Sequence, residues 1–216
     1  MPIYSPEIFD VKSMEHARFV ILTPEGNQDT NTRWERETPY IINQIDQVTD
    51  LNSSSVVLDY GCGIGRVSKA LIEKYECAVI GVDISAGMRS FAETYVNDPR
   101  FLCCSPEMFK YLIYDVNLKV DFAISIWALQ HCINATSCIL RMRRSLVDSG
   151  KLFIINNFNR CIPTQDDGFI HDGLDVHQEI IKNGFTDLSR HRLPIELFPE
   201  QLVMAAYEAV YKKVES

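Results

Sequence analysis

Apolar and polar positions follow two different periods along this chain. Short apolar runs, Val56-Val57-Leu58 and Ala78-Val79-Ile80, are bounded by turn residues as buried strands are. Between them, residues 67–75 repeat their apolar positions at helical spacing. The alternation continues with a helix over 86–96, a strand near 100–104, a helix near 107–114, a strand over 120–126, a helix over about 135–147 and a strand over 151–157. After a polar loop over 157–172, a helix near 174–183 is ended by Gly184 and followed by a strand from 185 to about 193. Strands alternating with helices predict an α/β fold, a doubly wound and mainly parallel sheet with helices on both faces.

The ends of the chain read less simply. The first fifty residues precede the first strand and form an N-terminal cap, with residues 51–216 as the core of the same domain. Residues 24–32 are a polar loop, and 34–48 a helix in which Pro39 is awkward, so that a start near Pro39 suits it better. Residues 199–211 carry helical propensity and a proline fit for a first helical turn.

The chemistry concentrates where the first predicted strand ends. Ser55-Val-Val-Leu-Asp-Tyr-Gly-Cys-Gly-Ile-Gly-Arg66 is followed by Gly81-Val-Asp-Ile-Ser85, which together read as one β-α-β nucleoside-binding unit. Gly61, Gly63 and Gly65 let the chain turn tightly and let a ligand approach the backbone, and the next helix offers free amides to a negative group. Asp83, 18 residues after Gly65, sits at the tip of the second strand, where an acceptor-only carboxylate can take both hydroxyls of an unphosphorylated ribose. The spacing is G-x-G-x-G with Arg66 next, not the G-x-G-x-x-G of dinucleotide sites, so NAD and FAD are disfavoured. No Gly-Lys-Ser/Thr follows, so this is not a phosphate-cradling P-loop.

Val57-Leu-Asp-Tyr-Gly-Cys-Gly-Ile-Gly65 resembles the first motif of the class I S-adenosylmethionine-dependent methyltransferases, and Gly81-Val-Asp-Ile-Ser85 their second. Phe101-Leu-Cys-Cys-Ser-Pro-Glu107 falls where that family has its third strand and adenine turn. Val120 to His131 is similar to its fourth strand with a trailing histidine, and Leu146 to Ile155 to its turn and fifth strand. Five motifs in order span about Ser55 to Asn157. The resemblance implies a seven-stranded Rossmann-like methyltransferase sheet under a helical cap, closed by an antiparallel last strand. That strand is preferred to a helix for residues 199–211, since a hairpin there would seal the sheet edge.

The cofactor so implied is S-adenosylmethionine, with S-adenosylhomocysteine as product. Its contacts are expected around the turn at Asp59, Gly61, Cys62, Gly63, Gly65 and Arg66, and beyond the second strand at Asp83, Ile84 and Met88. Ser105 stands where the family often has an acid at the adenine turn, and Ser125 and Trp127 end the fourth strand. In the cap, an arginine from Arg33 or Arg36 could pair with the methionine carboxylate while Trp34 or Tyr40 walls off the sulfonium; packing of these aromatics on the core is an equal reading, and for Arg36 the better one. Asp148 and Ser149 replace the usual proline and glycine before the fifth strand.

Methyl transfer needs alignment, exclusion of water and, for a hydroxyl or protonated amine, a base. Candidates at the carboxyl edge are His131, Asn156, Asn157 and the loop group Asp166, Asp167, His171 and Asp172. His131 is the expected base or substrate contact, with a structural role equally open. No ligand spacing points to a metal.

Composition narrows the partners. With 46% apolar and 23% charged residues, the chain has the balance of an ordinary globular protein. A net charge of −8, with one basic cluster at Arg141-Met-Arg-Arg144, disfavours nucleic acid. No run has the length of a membrane span and the N-terminus lacks the order of a signal peptide, which together predict a cytoplasmic protein. Seven cysteines without paired C-x-x-C spacing read as reduced thiols, and Cys103-Cys104 as strand neighbours facing opposite ways. The leading function is methylation of an oxygen or nitrogen on a small molecule. A protein or peptide N-methyltransferase and a noncatalytic methyltransferase-like subunit stand as alternatives.

Overall fold

A computed structural model of the chain describes residues 3–215. Its central sheet has seven strands, β1 (Val56–Tyr60), β2 (Ala78–Val82), β3 (Phe101–Cys104), β4 (Val120–Ile126), β5 (Leu146–Asn157), β8 (Phe185–Arg192) and β9 (Ala206–Lys213), in the order β3-β2-β1-β4-β5-β9-β8. Strands β1 to β5 pair in parallel, and β9 runs antiparallel to both β5 and β8. The order reverses between β1 and β4, which opens a crevice at their carboxyl ends.

Helices cover both faces, which is why the parallel strands read as continuous apolar runs. On one face α5 (Pro106–Tyr114), α6 (Ala135–Ser145) and α7 (Val176–Lys182) bury Phe109, Ile113, Ile139, Met142 and Ile180 against Leu58, Ile80, Ala123 and Ile154. On the other, α2 (Thr30–Val48) and α3 (Arg66–Tyr75) set Ile41, Ile45, Leu71 and Ile72 on Val57, Val79, Phe122 and Phe153. A fourth helix, α4 (Ala86–Val96), links β2 to β3, and α1 (Met14–Ile21) joins Met88 and Ile64 in a small core beside the glycine turn.

Four expectations are corrected. Helix α2 begins at Thr30 and runs 19 residues through Pro39. Its start is set by Asp29, whose side chain accepts the Thr32 amide at 2.7 Å, and its apolar stripe continues on both sides of the proline. The polar loop after β5 holds a hairpin, β6 (Ile162–Thr164) with β7 (Gly168–Ile170), to which the chain around Tyr4 adds as a third segment through Ser5 N to Pro163 O and Gln165 N to Ile3 O. Strand β5 starts at Leu146, so Asp148 and Ser149 lie within it, Ser149 with a φ of 59°. The C-terminal segment is both things in turn: a short helix, α8 (Glu200–Ala205), then β9, which lies inside the sheet and leaves β8 as the edge.

Phe122 is 1% exposed on the central strand β4. Phe122→Ala should cost about 3–5 kcal/mol by leaving a cavity between β4 and α2/α3. A urea titration checks this; a loss under about 1 kcal/mol would mean that this layer repacks freely.

Candidate functional site

The turn after β1 is pinned to the tip of β2. The Gly61 and Cys62 amides both donate to Val82 O, at 2.7 and 3.1 Å, and the Gly63 amide donates to Asp83 Oδ2 at 2.8 Å. Gly61 and Gly63 adopt φ of +86° and +55°. A Cβ at Gly61 would lie 2.1 Å from the Ala128 Cβ, and one at Gly63 2.7 Å from Ile21 Cδ1, so neither place admits a side chain. Gly65 serves as the N-cap of α3.

Asp83 completes this edge. Its Oδ1 accepts the Ser85 amide at 2.9 Å and its Oδ2 the Gly63 amide, which leaves each oxygen a lone pair. Burial pushes its carboxyl up, against the pull of those two amides. Asp83 lines a cleft of about 510 Å³ together with Gly61, Gly63, Ile84 and Met88.

The cap supplies the cleft's second wall. Arg33 is buried, and its Nε donates to Glu37 Oε1 at 2.7 Å and its Nη1 to Thr23 O at 2.7 Å. Its Nη2 has no protein partner among the described residues, and Arg33 lines the cleft. Glu37 also accepts Trp127 Nε1 at 3.3 Å. Trp127 lines the cleft from the end of β4 with a φ of 59°, a costly conformation for a bulky residue and one held here by its amide bond to Ile155 O.

The far end gathers around His131, in a single 3-10 turn after β4 (Leu129–His131). Its ring packs near Phe9 and Phe169, with centroids 5.3 and 5.6 Å away and both rings tilted to it. Nδ1 is 2.6 Å from Cys161 O and Nε2 3.3 Å from Gln130 Nε2. Burial lowers its pKa, opposed by the bond to Cys161 O and helped by Arg160. Beside it Asn157 lines the cleft, and its buried Oδ1 has no partner among the described residues.

Eight of the expected cofactor contacts lie off this cleft, Gly65 at the N-cap of α3 among them. Asp59 is 2% exposed on the α3 face of β1 and takes the Ser68 hydroxyl at 2.6 Å. Cys62 points away, its Sγ 3.8 Å from that of Cys103. Arg66 is buried, its Nη1 donating to Thr38 Oγ1 and its guanidinium over the Trp34 ring, which Arg18 also covers. Trp34 therefore spends its faces on arginines. Tyr40 packs on Phe198 and donates to Glu208 Oε2 at 2.7 Å. The Ser105 hydroxyl caps α5 through the Met108 amide, and Ser125 donates to Tyr60 O.

Other candidates are likewise engaged elsewhere. Arg36 donates to Glu196 O, Asn156 Nδ2 to Asn157 O, and His171 Nδ1 takes the Arg160 amide. Asp172 pairs with Arg160, while Asp166 and Asp167 are exposed. Residues that the sequence reading passed over do line the cleft: Glu107, two places beyond the expected adenine contact, and Gln130, Phe9, Glu25 and Arg141. The order Ser105-Pro106-Glu107 at a strand-to-helix turn was the available signal for Glu107; Phe9 had none.

A family model described as a methyltransferase domain matches residues 58–154, from within β1 to within β5 and so across the whole turn, the Asp83 tip and the His131 segment. Over that span the chain is similar to a methyltransferase domain, and its sheet has the Rossmann-like methyltransferase fold. A methyltransferase relative is N-demethylindolmycin N-methyltransferase of Streptomyces griseus, 43% identical over 51 residues, which are 24% of this chain and 22% of that enzyme. The match thus spans about a fifth of the relative's length. Among solved structures, geranyl diphosphate methyltransferase in complex with S-adenosylmethionine covers 90% of this chain and 94% of its own at a TM-score of 0.67 and 13% identity. Magnesium protoporphyrin IX methyltransferase of Synechocystis PCC 6803, with bound S-adenosylhomocysteine, covers 96% and 97% at 0.65 and 14%. At those identities the likeness is one of fold.

The residues present fit S-adenosylmethionine. Two free lone pairs at Asp83 suit a ribose diol, the side-chain-free approach at Gly61 and Gly63 suits a ligand against the backbone, and the spare Arg33 Nη2 suits a carboxylate.

Asp59 supports the site from behind, and its burial raises its carboxyl to about 6, opposed by Ser68 and Arg66. A carboxyl whose folded pKa lies above its unfolded value near 3.9 stabilises the fold below that value and loses this as pH rises through about 6. The loss is on the order of 3 kcal/mol. Asp59→Asn, which still accepts the Ser68 hydroxyl, should therefore gain stability over the native protein progressively between about pH 4 and 6, level beyond. Thermal melts across that range check it; parallel pH profiles would contradict it.

Proposed function

We propose that this methyltransferase transfers the methyl group of S-adenosylmethionine to a nitrogen or oxygen of a small-molecule acceptor. The observation that carries the reading is the continuity of one cleft from Asp83 and the glycine turn to His131, in a volume that suits a cofactor and a compact acceptor. Phe9 from the N-terminal segment and Phe169 from the β6–β7 hairpin roof the His131 end, which favours an enclosed acceptor over a polymer. The net charge of −8 speaks against nucleic acid in the same way. The relative named for N-methylation of a small compound points in this direction too.

The bound cofactor supplies an activated methyl on a sulfonium. The chain's own work is then binding and proton handling. Asp83 takes the ribose hydroxyls, Gly61 and Gly63 admit the ligand to the backbone, Ile84 and Met88 give the base an apolar bed, and Glu107 receives its exocyclic amine. Arg33 holds the methionine carboxylate through Nη2, itself aimed by Glu37. Trp127 walls the reacting end, and the cap residues Ile21 and Val20 exclude water. His131 takes the acceptor's proton, and the orphan Asn157 Oδ1 accepts a second hydrogen bond from the acceptor.

Asp83→Ala should weaken S-adenosylmethionine binding about tenfold to a hundredfold, the loss of hydrogen bonds to a charged group, as read by calorimetry on protein whose melt confirms folding. Unchanged affinity would remove Asp83 from the ribose. His131→Asn should leave that affinity intact and depress turnover by about 10²-fold or more, and native turnover should rise with pH through a pKa below 6.5 and then level. Radiolabelled methyl transfer assayed on amine and alcohol metabolite pools and on peptides gives the acceptor class. Labelling confined to peptides would overturn the small-molecule assignment.

A further inference from the structure

Around His131 the hydrogen bonds close into a ring that joins the end of β4 to the end of β5. Gln130, 4% exposed, accepts the Asn157 amide on Oε1 at 2.7 Å and the Cys161 amide on its backbone oxygen at 2.9 Å. Its Nε2 faces His131 Nε2 at 3.3 Å, and His131 Nδ1 faces Cys161 O at 2.6 Å. Each contact has one permitted direction. A backbone amide can only donate, so the Gln130 atom beside Asn157 is the oxygen and the other is the NH₂ group. That NH₂ can only donate, so His131 Nε2 must be a lone pair. A carbonyl can only accept, so Nδ1 must carry the hydrogen. Both ends of the imidazole give the same answer.

We propose that Gln130 is a positioning residue for the methyl-transfer reaction, holding His131 as the neutral Nδ1–H tautomer with the Nε2 lone pair turned to the cleft. The consequence for catalysis rests on the general-base reading of His131; the tautomer does not. Phe9 and Phe169 pack near the ring at tilted angles, and Cys161 O stands ready to stabilise the cation formed when Nε2 takes a proton. At 3.3 Å the Gln130 contact lies at the long end of the hydrogen-bond range, so the hydroxyl or amine of an acceptor competes for the same lone pair.

The charged and titratable neighbours agree with a neutral ring. Arg160, from the loop after β5, disfavours a second proton and is itself paired with Asp172. Cys132 beside His131 and Tyr4 from the N-terminal segment line the same end of the cleft, and Cys161 meets the ring through its carbonyl, its thiol taking the Asn157 amide group. No carboxylate bonds to either ring nitrogen among the described residues.

The test is nitrogen-15 NMR of the histidine-labelled full chain, with the His131 signals assigned by their loss in His131→Asn. The native protein should show a protonated Nδ1 and an unprotonated Nε2 at neutral pH. Gln130→Glu keeps an oxygen for the Asn157 amide but sets a second oxygen against Nε2, where only a proton can satisfy both. His131 should then titrate about one to three pH units higher and carry a proton on Nε2 at pH 7, and the acid limb of turnover should move with it. A native Nε2–H signal would overturn the proposal, and it decides the matter even if Gln130→Glu does not fold. A folded Gln130→Glu protein with an unmoved His131 titration would overturn it as well, for that is what a purely structural glutamine predicts. Full turnover by His131→Asn would instead remove the base reading of His131 and leave the tautomer standing.

Discussion

The 2.8 Å bond from the Gly63 amide to Asp83 is the contact on which the rest of the site depends. It exists because β1 and β2 are parallel neighbours in register, with Tyr60 opposite Val82, so that the turn leaving one strand meets the tip of the other at the same height. Val82 O has already taken the two preceding amides, and the carboxylate takes the third. Three successive donors of a tight turn are thus satisfied without a side chain standing in the crevice. The crevice itself follows from strand order, since β4 leaves β1 on the other side and its crossover helix packs on the opposite face.

The cap is tied to that frame by charge as well as by apolar packing. Glu37, fully buried, joins Arg33 of its own helix to Trp127, just past the end of β4, across the sheet face that carries α2. A buried pair of this kind adds little net stability, because desolvation offsets most of the attraction, whereas removing one partner alone strands a charge. Its worth is geometric. It fixes which nitrogen of Arg33 remains free and gives Trp127, whose left-handed backbone is held by Ile155 O, a side-chain partner as well.

Much of this was legible in the sequence, and the reasons are local. The runs of β1, β2 and β4, the spacing of Gly61, Gly63 and Gly65, and the acid at Asp83 state their roles within a few residues of each other, where strand period and turn chemistry decide conformation. Asp59 and Trp34 show where such reading stops. Both stand in the right segment, yet strand alternation turns Asp59 to α3, and two arginines from separate elements claim the faces of Trp34. Pro39 misled for a similar reason: a single missing amide is outweighed by an apolar stripe and a good cap in a 19-residue helix. The hairpin after β5 was hidden in polar composition; the N-terminal segment around Tyr4 bridges to it at Thr164, and the buried Arg160 just before it bonds Cys132 O and Asp172.

His131 belongs to both halves of this account. Its place in the chain is fixed by the strand that precedes it, but what its ring can do is fixed by residues 9, 130, 161 and 169, which come from the cap, the turn and the hairpin. A carbonyl at Nδ1 makes the other nitrogen a proton acceptor; a donor at the same point would make it a proton donor, with no change to β4. The sheet therefore settles where a titratable group stands, and the loops settle which way its proton runs. A histidine at this point of the sequence has no fixed chemical role until the partner of its inner nitrogen is known, and in this protein that partner is the carbonyl of Cys161.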